Sequence, residues 1–389
     1  MRVLVLGATG FIGNAIFYRL VGTHHVVGGS RKRMGAYAFW RKVDFAKANN
    51  WDELLEDIDL VINAIGIISG DFAQVQTTAP KELFTHCLNK KIKIINISAI
   101  GAERPSPPND FLQSKKEVDT FLLSTDMAKV IYPGIVLGVD GKSSRFFKAI
   151  SEFPLIPLVG GNPPLVHISQ LTELVSKMVD DFSAYPSSIF AIASAEKMTD
   201  LYTALRGKKA IYLQTPSWPV NLLFKLFPKL EIGIFNRNMA TMIDEIDVKN
   251  YEPIFQEKAS SFIRPNGVQP SDDFLRMFGF IALFIVWFWS GVSSLVSWSA
   301  SEELMASIGV KGATAPPFIY AGSIVDILLA MGLLFKRTRN TSLIAQMGFI
   351  VIYTLILSIL APEFWMHPFG VLTKNLPLWV VSWMLLRSK

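Results

Sequence analysis

The sequence predicts an open, doubly wound parallel α/β domain followed by an all-α bundle of membrane-spanning helices. Two observations carry that expectation. From Met1 to about Tyr132, short β-rich runs alternate with helical patterns, as in a parallel sheet with right-handed crossovers. From Met277 onward, long apolar segments replace that alternation. Composition agrees, since 50% of the 389 residues are hydrophobic and only 18% are charged. The mean hydropathy of +0.34 is high for an ordinary soluble enzyme of this size. The length is enough for two domains with a core in each.

The first strand covers Val3 to Leu6, and an amphipathic run, Phe11 to Leu20, reads as the first helix. Between them lies GATGFIG, Gly7 to Gly13. Glycines spaced this way at a strand-to-helix turn are the context of a dinucleotide loop. Gly7 allows the tight turn, Gly10 lets backbone N–H groups approach a pyrophosphate, and Gly13 lets the helix pack on the strand, with the helix N-terminus facing the anion. The alternative is a tight βα turn with no ligand.

Further strands read as HHVVGG, a short one ending near Asp44, DLVINAIG, KIIN and KVIYP. Asn50 suits the N-cap of WDELLEDI, and Pro80 starts a helix running through Leu88. From about Pro133 to Asp272 the pattern loosens. Proline and glycine clusters such as PLVGGNPPL mix with short elements, as a substrate-covering α+β region would. This places one domain at 1–272, with 133–272 contributing the substrate region, and a second at 273–389. Ser217 to Leu230 is apolar and carries only lysines, which fits either a helix on the membrane surface or a buried one.

Four spans are expected near 274–296, 315–335, 341–362 and 369–386, the last interrupted by Lys374 and Pro377. The KRTR loop at Lys336 to Arg339 and the tail with Arg387 and Lys389 are basic, whereas the loop with Glu302 and Glu303 is not. By the positive-inside rule the soluble domain, the KRTR loop and the C-terminus face the cytoplasm. The expected location is a bacterial inner membrane, with the lipid bilayer as partner. No motif specifies a protein partner.

The charge of +6 does not point to nucleic acid, because the basic residues are scattered and partly flank the apolar segments. The opening MRVLVLGATG already reads as strand and loop, which leaves no cleavable signal peptide. A single cysteine, Cys87, excludes an intrachain disulfide and a cysteine-based metal cluster, and suits a buried helix position. No metal is implied. Asp326 falls near the middle of the second span, where a carboxylate is costly unless neutral, paired or facing a cavity. It is either a functional group, with Arg276 or Lys374 as candidate partners, or a neutral acid hydrogen-bonded between helices. Trp287, Trp289, Trp298, Trp365, Trp379 and Trp383 read as interfacial or packing aromatics.

The second strand ends at Gly28 and Gly29, where an NAD-binding domain places an acidic residue on the ribose 2′-hydroxyl. Here Ser30, Arg31, Lys32 and Arg33 follow instead. A hydroxyl and a cation cluster suit a 2′-phosphate, which guanidinium pairs with bidentately and a carboxylate would repel. NADP, as NADPH, is therefore favoured over NAD. The competing reading is a solvated basic loop.

With these residues in view, positions 1 to about 200 resemble the short-chain dehydrogenase/reductase superfamily in its extended and atypical branches, which share the Rossmann sheet. GATGFIG matches the glycine motif, which implies cofactor contacts at Gly7, Thr9, Gly10, Phe11, Ile12 and Gly13. Val43-Asp44-Phe45 is similar to the adenine-side acidic motif, placing Asp44 near the base. Asn63-Ala64-Ile65-Gly66 resembles the segment passing the cofactor, bringing in Ala64 and Gly66. Ser98 takes the place of the catalytic serine. Tyr132-Pro133-Gly134 resembles the arginine-proline-glycine stretch, with tyrosine for arginine and Pro133 at the cofactor. His167-Ile168-Ser169-Gln170 resembles a later histidine motif, with Gln170 where aspartate is typical.

The acid/base pair of the resemblance is a tyrosine four residues before a lysine. Here it reads Phe111 and Lys115. Lys115 is left to hold the nicotinamide ribose, and phenylalanine has no proton to give. Either Asp110, Ser98 or a water protonates the product, or the domain holds the nucleotide without turning it over. The dinucleotide-binding accessory subunit of respiratory complex I, in the atypical branch, is regarded as such a holder. Residues 273 to 389 resemble the DoxX-like family, through the spans and through His367-Pro368-Phe369-Gly370 followed by Lys374-Asn375-Leu376-Pro377.

Three functions follow as expectations. The first is a membrane-anchored, NADPH-dependent oxidoreductase for a lipophilic or quinone-like substrate. The second is a non-catalytic NADP-binding scaffold or sensing subunit of a membrane complex. The third and weakest is a sugar-nucleotide epimerase or dehydratase, which depends most on the absent tyrosine.

Overall fold

In a computed structural model, the chain is described over residues 1–33, 39–158, 160–218, 225, 238, 246–265, 267–270, 272–366, 370 and 372–387. The Ser217 to Leu230 segment lies almost wholly outside the described residues, as do His367 to Phe369 and Lys389. The described residues form two compact units, one holding 1–218, 238 and 246–270 and the other 225 and 272–387.

The first unit is built on β1 (Arg2–Leu6), β2 (His25–Ser30), β3 (Trp40–Lys42), β4 (Leu60–Asn63), β5 (Lys93–Ile97) and β6 (Ala128–Pro133). The six strands expected from the sequence are all present. A seventh, Ser188–Ala191, comes from the region read only as loosely patterned and pairs with β6 at one sheet edge. Every neighbouring pair is parallel, in the order 188–191, β6, β5, β4, β1, β2, β3. The order reverses between β1 and β4, which opens a crevice at their C-terminal ends, the usual place for a ligand in such sheets.

Burial explains why these apolar runs form central strands rather than amphipathic ones. Val3, Leu4, Val5 and Leu6 are all fully buried, so both faces of β1 are covered. One face packs on α3 (Ala79–Asn89) and α4 (Asp110–Leu122), through Leu83, Phe84 and Leu112. The other face packs on α1 (Phe11–Leu20) and the helix Ile168–Asp180, through Ile16, Leu20, Leu171 and Val175. Asn50 caps α2 (Trp51–Leu54) by accepting from the Glu53 N–H, and Pro80 lies in the first turn of α3. Cys87 is buried among the apolar residues beneath α3, and burial pushes its thiol up to about 12. Two short parallel pairs, Ile135–Leu137 with Leu165–His167 and Leu155–Leu158 with Ile211–Gln214, make up the remaining β structure.

The second unit is helical. Three of its helices contain segments long and apolar enough to cross a membrane, Arg276–Val296, Gly312–Leu334 and Lys336–Leu360, with mean hydropathies of 1.9, 1.8 and 2.3. Their outer faces carry large exposed apolar side chains, including Ile285, Phe318, Leu328, Ile344 and Ile359, the surface that lipid would cover. The fourth expected segment holds a shorter helix among the described residues. Helix starts only at Asn375 and runs 13 residues to Arg387. At 1.5 Å per residue that is about 20 Å, short of a hydrocarbon core of about 30 Å. The residues ahead of it are spent in turns, with Gly370 at φ +57° and the Lys374 and Asn375 N–H groups bonded to Gly370 and Leu372 carbonyls. This short helix still packs on its neighbours, with Leu385 buried against Phe280 and Leu283.

Candidate functional site

The site is assembled at the C-terminal ends of β1, β2, β4 and β5. Gly7 follows β1 at φ +74°, a conformation that favours glycine, and its N–H donates to the Gly29 carbonyl at 2.9 Å. The three glycines interlock. A Cβ on Gly13 would stand 2.2 Å from the Gly7 oxygen, and one on Gly7 would stand 2.9 Å from the Ala64 oxygen. Gly13 therefore sets how closely α1 approaches the loop, while Thr9 and Gly10 stay exposed at the helix start. The Phe11 ring seats against Gly138 and Gly141, whose added Cβ atoms would come within 2.8 and 3.0 Å of it.

Beside this helix start is an open groove of about 680 Å³, lined by Thr9, Gly10, Phe11, Asn14, His167 and Arg264. Arg264 sits on a stretch that sequence reasoning left without a role. His167 serves the scaffold. It caps Ile168–Asp180 by accepting from the Ser169 N–H while the Gln170 side chain accepts the His167 N–H, and its ring stacks on Phe262 at 5.1 Å. Burial lowers its pKa. Gln170, in place of the typical aspartate, completes this capping box.

At the end of β2, Ser30 is buried, and its hydroxyl donates to the Lys32 carbonyl at 2.8 Å and accepts from the Trp40 indole at 2.9 Å. Its proton is committed to holding the loop, so the groups presented outward at this edge are Arg31, Lys32 and Arg33, all exposed. The Asp44 carboxylate accepts the Ala46 N–H at 3.2 Å, closing the turn after Val43. Ala64 and Gly66 follow β4, and the Ile100 N–H bonds the Pro133 carbonyl.

Lys115 and Phe111 project from one face of α4. The Lys115 ammonium donates to the Ile97 carbonyl at 3.2 Å, lies 5.7 Å from the Phe111 ring centre, and would stand 3.7 Å from a Cβ on Gly66. It thus bridges the ends of β4 and β5, and burial lowers its pKa against the opposing pull of Asp119. Phe111 is buried and meets Phe72 edge-on at 6.2 Å, so an aromatic wall stands where the resemblance places a phenol.

Ser98 is not aimed outward as a free hydroxyl. It donates to the carboxylate of Asp119, one helical turn beyond Lys115. Asp119 also accepts from Asn96 Nδ2 at 3.0 Å, Asn96 accepts from Asn63 Nδ2 at 2.9 Å, and the Tyr132 hydroxyl bonds Asp119 from β6. Asp119 is 2% exposed. Burial pushes it up to about 6 against the lowering pull of Ser98, Lys115, Asn96 and Tyr132. Sequence reasoning missed this residue. The available signal was a pair of spacings, Lys115 to Asp119 at i,i+4 on a helix and Asn96 to Ser98 at i,i+2 on a strand, which put each pair on one face.

In the helical unit Asp326 is buried, and it accepts from Ser290 at 2.8 Å rather than pairing with Arg276 or Lys374. Its second oxygen, Ser323 Oγ and the Trp287 indole N–H are buried without hydrogen-bond partners among the described residues. Arg276 instead lines a groove of about 210 Å³ with Lys336 and Arg339 at one end of the bundle. Among the described residues no cluster of His, Cys, Asp and Glu could hold a metal ion.

Residues 3–104 match the NAD dependent epimerase/dehydratase family, and residues 284–383 match the DoxX-like family. The chain thus joins a segment similar to the NAD dependent epimerase/dehydratase family to one similar to the DoxX-like family. No curated protein matches the sequence. Among solved structures, a human epimerase family protein with NADPH is 20% identical, covers 67% of this chain and 97% of its own, and has a TM-score of 0.47. A short-chain dehydrogenase/reductase superfamily protein from Agrobacterium tumefaciens with bound NAD is 12% identical over 56% and 86%, at 0.48. The ADP-L-glycero-D-manno-heptose-6-epimerase of Helicobacter pylori is 16% identical over 55% and 84%, at 0.46.

Proposed function

We propose that this protein is a membrane-anchored, NADPH-dependent oxidoreductase that reduces a lipophilic, carbonyl- or quinone-type substrate drawn from the bilayer. The observation that carries the reading is Lys115, whose partly buried ammonium bridges the ends of β4 and β5 beside Gly66, where it would hold the ribose of a nicotinamide. The residues around the crevice fit the cofactor. Gly7 to Gly13 would take the pyrophosphate at the start of α1, and Arg31 and Arg33 the 2′-phosphate. Asp44 lies toward the adenine side. NADPH bound there supplies a hydride. Phe111 and Phe72 offer an apolar wall beside Lys115, which favours a hydrophobic substrate.

The bundle supports a cytoplasmic nucleotide domain. Arg276 begins the first membrane segment, Lys336 and Arg339 begin the third, and all three line one groove, so positive charge gathers at the end of the bundle where the first segment starts. A bacterial inner membrane is the setting we infer. A second reading, a non-catalytic NADP-binding scaffold, is favoured by Phe111 alone. An epimerase or dehydratase reaction depends on the phenol that Phe111 replaces.

NADPH binding and oxidation by the purified full chain, against a panel of quinones and carbonyl lipids, tests the proposal. Turnover that persists in Phe111→Tyr and is lost in Lys115→Ala supports the enzyme. Tight binding with no oxidation across the panel leaves the scaffold.

A further inference from the structure

Resting on the oxidoreductase reading, we infer that Asp119 holds the proton that the absent phenol would have supplied and delivers it to the substrate oxygen through the Ser98 hydroxyl. Three elements converge to build this relay. Ser98 stands just past β5, 5% exposed, with its hydroxyl on Asp119, which is held from α4 and is 2% exposed, so of the two Ser98 lies nearer the crevice end of the sheet. Asn96 donates to the other carboxylate oxygen at 3.0 Å and is itself fixed by Asn63 at 2.9 Å. The carboxyl is thus oriented with one oxygen toward Ser98. Lys115, whose ammonium bonds the carbonyl of Ile97, adjacent to Ser98, brings the ribose site and the hydroxyl together.

The step balances as a carbonyl reduction. The carbonyl carbon takes the hydride that NADPH supplies, forming a C–H bond, and the C=O π pair moves onto oxygen. That oxygen takes the Ser98 hydroxyl proton as Ser98 takes the proton of Asp119. The products are the alcohol, NADP⁺ and an Asp119 carboxylate, which solvent reprotonates. A quinone is reduced by the same hydride and the same single relayed proton, which together account for both hydrogens of the hydroquinone.

The groups facing Asp119 are Ser98 and Asn96 from the β5 side, Tyr132 from β6 and Lys115 from its own helix. Glu103 acts on Tyr132. Burial outweighs the pull of Lys115 and the hydrogen bonds and leaves the carboxyl at about 6, within reach of neutral pH for a proton donor. Asp119 is therefore a positioning and proton-holding residue, and Ser98 is the group that touches substrate.

The test is NADPH turnover by the full chain in detergent from pH 5 to 9, with NADPH affinity measured alongside, for wild type, Asp119→Asn and Asp119→Glu. Wild-type kcat should fall as pH rises through about 6. Asp119→Asn should keep NADPH affinity within about twofold, lose kcat by about 100-fold or more, and show no such limb. Asp119→Glu should restore the limb. A folded Asp119→Asn chain with the wild-type pH profile overturns the relay while leaving the oxidoreductase intact. So does equal inactivity of both variants with NADPH still bound. A wild type that binds NADPH and never oxidises it overturns both readings.

Discussion

Asp119 makes a quantitative prediction about stability that does not depend on catalysis. Its carboxyl lies at about 6 in the folded chain against 3.8 in its ordinary state. Below both values the group is protonated in either state and contributes no pH dependence. As pH rises from about 4 to 6 the unfolded chain loses its proton first, so the folded state binds more protons and stability falls. Above about 6 the loss is complete, and a carboxyl raised from 3.8 to about 6 corresponds to roughly 3 kcal/mol. Asp119→Asn removes this titration and keeps a side chain able to bond Asn96 and Ser98. Thermal unfolding of wild type and variant, compared at matched pH from 4 to 7, cancels every other titrating group. The variant should gain on wild type by roughly 3 kcal/mol across that window, on the order of 5–10 °C in melting temperature for a domain of this size. A difference that stays constant with pH would refute the assignment of a buried, raised carboxyl.

Other expectations follow from the cofactor loop and the bundle. Gly13→Ala forces a methyl to within 2.2 Å of the Gly7 oxygen, so NADPH binding should be lost and stability reduced by about 1–3 kcal/mol. Unchanged affinity in a titration would show that α1 is not set by this contact. Replacing Arg31 and Arg33 together with alanine should weaken NADPH at least 10-fold more than NADH, about 1.4 kcal/mol of discrimination. Equal losses for the two nucleotides would remove the 2′-phosphate assignment. A reporter fused after Arg339 should give a cytoplasmic signal, and a periplasmic one would reverse the topology.

The parts of this fold that were legible in the sequence are those fixed by local chemistry. GATGFIG announced its turn because Gly7 must adopt a positive φ and Gly13 must lack a Cβ. The six central strands were readable because strands buried on both faces are near-continuous apolar runs. What escaped detection depends on contacts distant in sequence. Asp119 gains meaning only where α4, β5 and β6 meet. Ser30 looks like a phosphate ligand until Trp40, ten residues on, takes up its hydroxyl. The strand Ser188–Ala191 becomes part of the sheet only by pairing with β6, more than 50 residues earlier. The last apolar segment has a membrane-like composition, but its helix starts at Asn375, after turns that composition does not register.

The most direct test of the central claim is single-turnover NADPH oxidation by the full chain reconstituted in vesicles that contain a lipophilic quinone. The account predicts loss of the reduced nicotinamide absorbance matched one-to-one by hydroquinone, abolished by Lys115→Ala. Bound NADPH whose absorbance persists with the quinone present, and with every carbonyl lipid tried in its place, would contradict it.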